Sequence, residues 1–315
     1  MSPSTRFGLF LAVAAHSLWG LFPIYWRTLA HVESTELVCH RIVWAFLFSS
    51  LIAAIRFRLG RPERRKRFID ALRKPETWLT YSCAALMIAV NWGAFLIAVN
   101  GGNVLLSSLG YYINPLFNVL LGVIVLGEKL HGRAWIAIGI AAIGVAIMTV
   151  GYGGLPWVSL TMATSFAIYG LSKKKAKLDP LDGLLLETGL LVVPTAAYLF
   201  WLGGNGGEFA AGSLRTDSLL ILGGLITIVP LALFAGATQR APLSSIGVLQ
   251  YIGPTLQFLV AVFYYREEVS LYTQVGFAFV WTGVIVFLTR RGKPRTSQEP
   301  ATSKEPSLLT EAATD

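Results

Sequence analysis

Ten apolar runs limit what this chain can become: 7–26, 35–55, 77–98, 103–126, 133–150, 155–172, 182–202, 218–238, 243–265 and 271–289. A helix rises ~1.5 Å per residue, so about 20 apolar residues cross the ~30 Å hydrocarbon core of a bilayer. The 315 residues are 54% hydrophobic and 14% charged, with a mean hydropathy of +0.61. A soluble chain would carry about 25% charge. The chain therefore reads as an all-α polytopic membrane protein with ten transmembrane helices.

The net charge of +9 does not point to nucleic acid, because the basic residues sit in the short segments between runs. With the N-terminus inside, the inside segments hold 22 Lys and Arg, the outside segments hold 3, and Arg41 lies within a run. That bias predicts both termini in the cytoplasm. The first run follows a single Arg6, has no convincing cleavage site and is expected to stay as a mature helix. Residues 293–315 are polar, contain Pro294, Pro300 and Pro306, and are expected to be a disordered tail. Cys39 and Cys83 lie in apolar runs and read as small core residues, with no disulfide or metal role. The basic segment 61–74 carries Phe68, Ile69 and Leu72 at helical spacing. Either it lies on the cytoplasmic face against anionic lipid or it is a solvated linker.

One internal repeat gives the runs an order. Residues 102–130 and 241–269 align without a gap at an offset of 139, with Tyr112-Ile113-Asn114-Pro115 over Tyr251-Ile252-Gly253-Pro254 and Glu128 over Glu267. At the same offset Asn91 meets Pro230 and Phe95 meets Phe234. A proline within a helix frees the carbonyl four residues back, here Tyr111 and Gln250. In lipid such groups need protein or cavity partners, so Pro115 and Pro254 mark candidate helix breaks beside a transport site. Five runs separate equivalent helices, and five is odd. The halves, 1–150 and 151–292, are therefore expected to insert in opposite orientations, a 5+5 inverted-topology repeat.

Three motifs carry a family resemblance: HSLWGLFPIYW in the first run, ELVCHRIVWAF in the second, and LGYYINPLFNVLLG with GEKL in the fourth. Over roughly residues 5–292 the chain resembles the RarD-type permeases of the EamA family, in the drug/metabolite transporter superfamily. The resemblance implies two EamA repeats of five helices in a bacterial inner membrane. RarD members are often labelled chloramphenicol-sensitivity proteins, a label that assigns no substrate. No ligand residue is carried over from the family, and the candidates below rest on their own chemistry.

His16 falls near mid-membrane, where an imidazole either binds solute or carries a coupling proton, or else packs against a backbone carbonyl. Arg41 and Glu187 are the charges placed deepest in apolar runs, and such charges must face the protein interior. Their levels differ by roughly 12–14 Å, so three readings stay open for Arg41: a direct pair with Glu187, an anion-attracting group at the outer mouth, or a structural role. Trp19, Trp44, Trp92, Tyr112, Tyr169 and Tyr251 supply apolar walls, and Asn91, Asn114, Asn118, Gln250 and Gln257 supply polar anchors, as a solute cavity requires. Tyr25 and Trp26, at a run's end, read as interfacial belt. The fifth run carries small and aliphatic residues beside Trp135 and Thr149, and the tenth holds Gln274 and Thr282 with Gly276 and Gly283 seven apart; with little to offer a polar site, both are expected to pack peripherally or closely through small residues.

These features predict a secondary transporter for a small organic solute, with lipid as its surroundings and no cofactor, metal or nucleic-acid partner. No H-E-x-x-H, G-x-S-x-G or Walker A sequence supports an enzyme or intrinsic ATP driving. A channel or receptor is the other class, although no repeated pore loop or charged ring is evident.

Overall fold

The computed structural model describes residues 2–60, 62–100, 104–130, 132–153, 157–266 and 269–289. Every apolar run is helical over most of its described residues. The long helices are α1 (Pro3–Trp26), α2 (Ser34–Leu59), α4 (Pro75–Asn100), α5 (Val104–Ile124), α6 (Gly132–Tyr152), α7 (Trp157–Lys175), α8 (Pro180–Gly203), α9 (Leu214–Arg240) and α12 (Leu271–Leu288). A short helix α3 (Pro62–Leu72) lies between α2 and α4, and the run 243–265 divides into α10 (Leu243–Leu249), α11 (Ile252–Leu259) and a π-helical turn Val260–Tyr264. Among the described residues seven helical segments are long and apolar enough to cross a membrane, and two further apolar segments, 109–124 and 271–287, are shorter. The protein is a polytopic helical membrane protein. The expected tail and Glu267 lie outside the described residues.

Side chains close the helix starts where the backbone leaves the apolar layer. Ser2, Glu33, Asp179, Ser213 and Ser270 each accept an N–H of the first turn of α1, α2, α8, α9 and α12. Glu128 does this across the chain. Its carboxylate accepts the N–H of Leu243 (2.6 Å) and of Ser244 (2.9 Å) and the Ser244 hydroxyl, and so anchors α10 to the end of α5.

The two proline helices differ from expectation. The helix α5 runs through Pro115 without interruption, whereas its counterpart breaks at Gln250 and Tyr251, one turn before Pro254. Proline removes only one ladder bond. The residue before it is Asn114 in α5 but Gly253 in the second case, and glycine adds about 1 kcal/mol of helix cost.

The basic end, where α2 finishes and α8 begins, is tied by ion pairs. Arg56 bonds both Asp179 oxygens (2.9 and 3.1 Å), and Arg64 of α3 bonds Asp182 of α8. Burial tends to raise the Asp179 carboxyl, but the Arg56 hydrogen bonds outweigh it and hold the group below its ordinary value. The segment 62–72 is a docked helix rather than a solvated linker. Phe68 is docked into the bundle with Tyr81 and Leu178, while Ile69 stays exposed on another face.

The helices α6 and α12 pack against each other. Without a hydrophobic drive between helices in lipid, close backbone approach supplies the contact, and small residues permit it. A Cβ on Gly144 would lie 2.5 Å from the Gly276 carbonyl oxygen, and one on Gly283 would lie 2.6 Å from that of Ala137. Gly139 faces open space. Gly276→Leu is expected to cost about 1–3 kcal/mol through overpacking, and Gly139→Leu close to nothing. Thermal unfolding of the two variants in detergent checks this, and equal midpoints would contradict it.

Candidate functional site

The site builds from α1, α2, α4, α5 and α9 around one guanidinium. Arg41 donates from Nε to the Thr227 hydroxyl of α9 at 3.1 Å. Its Cζ lies 4.7 Å from the Trp26 ring and 4.8 Å from the Trp92 ring, so two indole faces flank the cation. Tyr25 and Tyr111 lie near enough to act on its charge. No described acid lies within ion-pair distance of it. Arg41, Tyr25, Trp26, Trp92 and Tyr111 all keep accessible surface although they face one another, while Thr227 is fully buried. Gly224 lets α9 approach the Trp44 backbone, because any Cβ there would collide with it, and this sets Thr227 one turn further on. The loop after α8 folds over the same region. Phe209 lies 5.9 Å from Trp44, and its N–H is held by buried Glu36 at 3.2 Å.

On the inner side of this cluster lies an aromatic layer. His16 is buried against Trp19 (5.2 Å) and Phe234 (5.9 Å), and its Nε2 meets no described partner. Trp19 also touches Phe166 at 5.7 Å, and Phe234 stacks on Tyr169 at 6.1 Å and 11°. Below that layer Glu187 is fully buried and pairs with Lys173 at 2.5 Å, while Tyr169 donates its hydroxyl to the other oxygen at 3.3 Å.

The remaining candidates do not join the Arg41 cluster. Asn91 donates to the Met162 carbonyl at 2.8 Å and to Ser165 at 3.4 Å, tying α4 to α7. Asn118 donates to Gln250 at 2.5 Å across the α5–α10 contact, with Tyr112 donating to the Pro254 carbonyl at 3.4 Å. Tyr251 and Asn114 are buried there, and the Tyr251 hydroxyl and Asn114 Oδ1 have no described partner. Gln257 donates to the Trp19 carbonyl at 3.1 Å. These amides are largely spent on helix contacts.

Two features differ from the sequence reading, and one of its open alternatives closes. Trp26 and Tyr25 are not interfacial belt. They turn inward, because Trp26 flanks Arg41 and the Tyr25 hydroxyl bonds the Leu219 carbonyl of α9. Glu187 does not pair with Arg41, since Lys173 has taken it. Lys173 itself, counted among the Lys and Arg of the inside segments, is the most buried lysine in the last turn of α7. Nothing in a KKKAK run separates an inward lysine from its solvated neighbours, although the 14-residue spacing to Glu187 across one tight turn was a usable signal.

A model of the EamA-like transporter family matches residues 6–150. An uncharacterized transporter of Vibrio cholerae is 40% identical over 281 residues, 89% of this chain and 91% of its own length. Protein RarD of Streptomyces exfoliatus is 38% identical over 282 residues, covering 89% and 88%, and Protein RarD of Escherichia coli is 37% identical over 286 residues, covering 90% and 94%. One solved crystal structure shares the fold, with a TM-score of 0.65 at 20% identity, over 92% of this chain and 99% of its own. The protein is a multi-pass membrane transporter. It belongs to the EamA family, as a RarD-type permease.

Replacing Glu187 by Gln leaves the Lys173 ammonium buried without its counter-charge, a change that costs about 3–5 kcal/mol. The double variant Glu187→Gln/Lys173→Met is expected to recover most of that stability. Thermal unfolding of the single and double variants reads it directly, and an unaffected single variant would contradict the pairing.

Proposed function

We propose that this permease is a secondary carrier of the bacterial inner membrane that binds an anionic group of a small organic solute at Arg41 and exposes it alternately to the two sides. The observation that carries the reading is the state of Arg41. A guanidinium in the bilayer core costs several kcal/mol unless it is compensated. Here it has one hydroxyl and two indole faces, no described acid, and accessible surface. Its planar fork retains free donors that match a carboxylate. Trp44 and Trp92 would wall the solute, and His16 and Trp19 would lie beneath it.

In this reading the ten runs span the membrane as two halves, 1–150 and 151–292, inserted in opposite senses with both termini cytoplasmic. The main interfaces support it. The helix α1 packs on α9 and on α11, as α7 packs on α4 and on α5, while α2 meets α8, α5 meets α10 and α6 meets α12. Exchanging the halves maps this set onto itself. The contacts Gly144–Gly276 and Gly283–Ala137 interchange at the offset of 139, and Ser49 and Thr188, also 139 apart, touch at 3.4 Å. The narrow aromatic layer between Arg41 and the Glu187–Lys173 pair would be the barrier that moves.

A thermal-shift screen of metabolites, followed by counterflow in proteoliposomes, identifies the solute. Arg41→Gln is expected to weaken it roughly 10–100-fold, the worth of a charged hydrogen bond, with Arg41→Lys intermediate because it keeps charge but loses the fork. Both variants should insert and fold. Wild-type affinity in both would remove Arg41 from the site.

A further inference from the structure

The basic end holds a second cluster of cations, apart from Arg41. A cleft of about 480 Å³ opens between the last turn of α2 and the outward face of α3, lined by Arg58, Arg65, Lys66 and Arg73 over Phe57 and Ile69. The two helices divide their cations. Arg56 and Arg64 turn into the bundle and are consumed by Asp179 and Asp182. Arg58, Arg65 and Lys66 are exposed and have no acidic partner among the described residues. Asp70 is the one carboxylate lining the cleft, and it stands 4.0 Å from Arg73. Four cations therefore surround one acid.

Docking of Phe68 and the Arg64–Asp182 pair fix α3 in place, so the cleft does not depend on a free helix lying on the surface. Gly60 makes the turn between the helices tight, because a Cβ there would collide with the Arg56 carbonyl. An apolar track leads into the same corner. Leu47, Leu51, Ile55 and Leu59 repeat every four residues along α2 and are 46%, 57%, 49% and 85% exposed. A soluble phosphate would use the cations alone. A molecule that uses both cations and track has an anionic head and an acyl chain.

We propose that this cleft binds the phosphodiester head of an anionic glycerophospholipid, whose chain lies along the exposed stripe of α2. Basic pockets at the membrane edge of a helical bundle suit such heads, each Lys or Arg adding favourable attraction that salt screens. Arg65 and Arg73 present planar forks to the phosphate oxygens, and Phe57 and Ile69 meet the glycerol.

The test uses the purified full-length protein in neutral detergent, titrated with phosphatidylglycerol, phosphatidylcholine or inorganic phosphate, with the unfolding midpoint as readout. Phosphatidylglycerol is expected to raise the midpoint where phosphatidylcholine and phosphate do not. Arg65→Gln/Lys66→Gln should weaken its apparent affinity roughly thirtyfold, while Arg67→Gln, exposed on the same helix but outside the cleft, should change it less than about twofold. If the double variant has a lower lipid-free midpoint, native mass spectrometry of retained phosphatidylglycerol gives the same comparison without melting. Equal effects of the two lipids, or equal losses in the double variant and Arg67→Gln, would overturn the site. A phosphate effect as large as that of phosphatidylglycerol, lost in the double variant, would assign the cleft to free phosphate and overturn the lipid.

Discussion

A charge placed in a bilayer core has to be compensated from within the protein, and this chain meets that demand in two different ways. Lys173 and Glu187 neutralise each other, with Tyr169 completing the carboxylate's hydrogen bonds. Arg41 has no such partner among the described residues and leans on Thr227 and two indoles. Buried pairs of the first kind are weak evidence of net stability but are costly to break. An arrangement of the second kind leaves a partly exposed cation with donors to spare. The proposed binding role of Arg41 rests on the contrast between the two in one apolar bundle, with the other pair part of the framework.

That framework has to bring α9 and α1 close to α2 for Arg41 to be held at all. Gly224 permits the approach of α9 to Trp44, and the Tyr25 bond to Leu219 fixes the end of α1 on α9. At the opposite end, Glu128 caps α10 and Lys174 donates to the Ala241 carbonyl at 2.5 Å, so α5, α7 and the start of α10 converge there. The break at Gln250 and Tyr251 and the π-helical turn after Leu259 loosen the intervening segment. Such irregular backbone at membrane depth is tolerated where protein covers it, and π turns are frequent at functional sites.

Much of this was legible in the sequence because hydrophobic length and charge bias act on single segments. Each apolar run became helix, and Arg41 stood out because the cost of a charge in lipid does not depend on its neighbours. The sense of each proline was only half legible: Asn114-Pro115 and Gly253-Pro254 align, yet the glycine tips one of them into a break. Partner choices were not legible. Lys173 looks like its solvated neighbours until α7 and α8 are set side by side, and Trp26 faces Arg41 only because the end of α1 is pinned to α9. Asn91, Asn118, Gln250 and Gln257 had the chemistry of solute anchors, but the fold uses them as helix-to-helix bonds. Short α3 has two faces, and its periodicity alone did not say which one would dock.

The central claim is that two oppositely inserted halves move against each other around Arg41. Spin-label distances test it most directly, in a protein whose Cys39 and Cys83 have been replaced by Ala. One label pair sits at exposed Lys129 and Lys175, at the ends of α5 and α7, and the other at exposed Thr28 and Arg215, at the starts of the loop after α1 and of α9. With a transported solute bound, the account predicts two distance populations in each pair, the longer one in the first pair accompanying the shorter one in the second. Distances that lengthen together, or that stay single while transport continues, would contradict it.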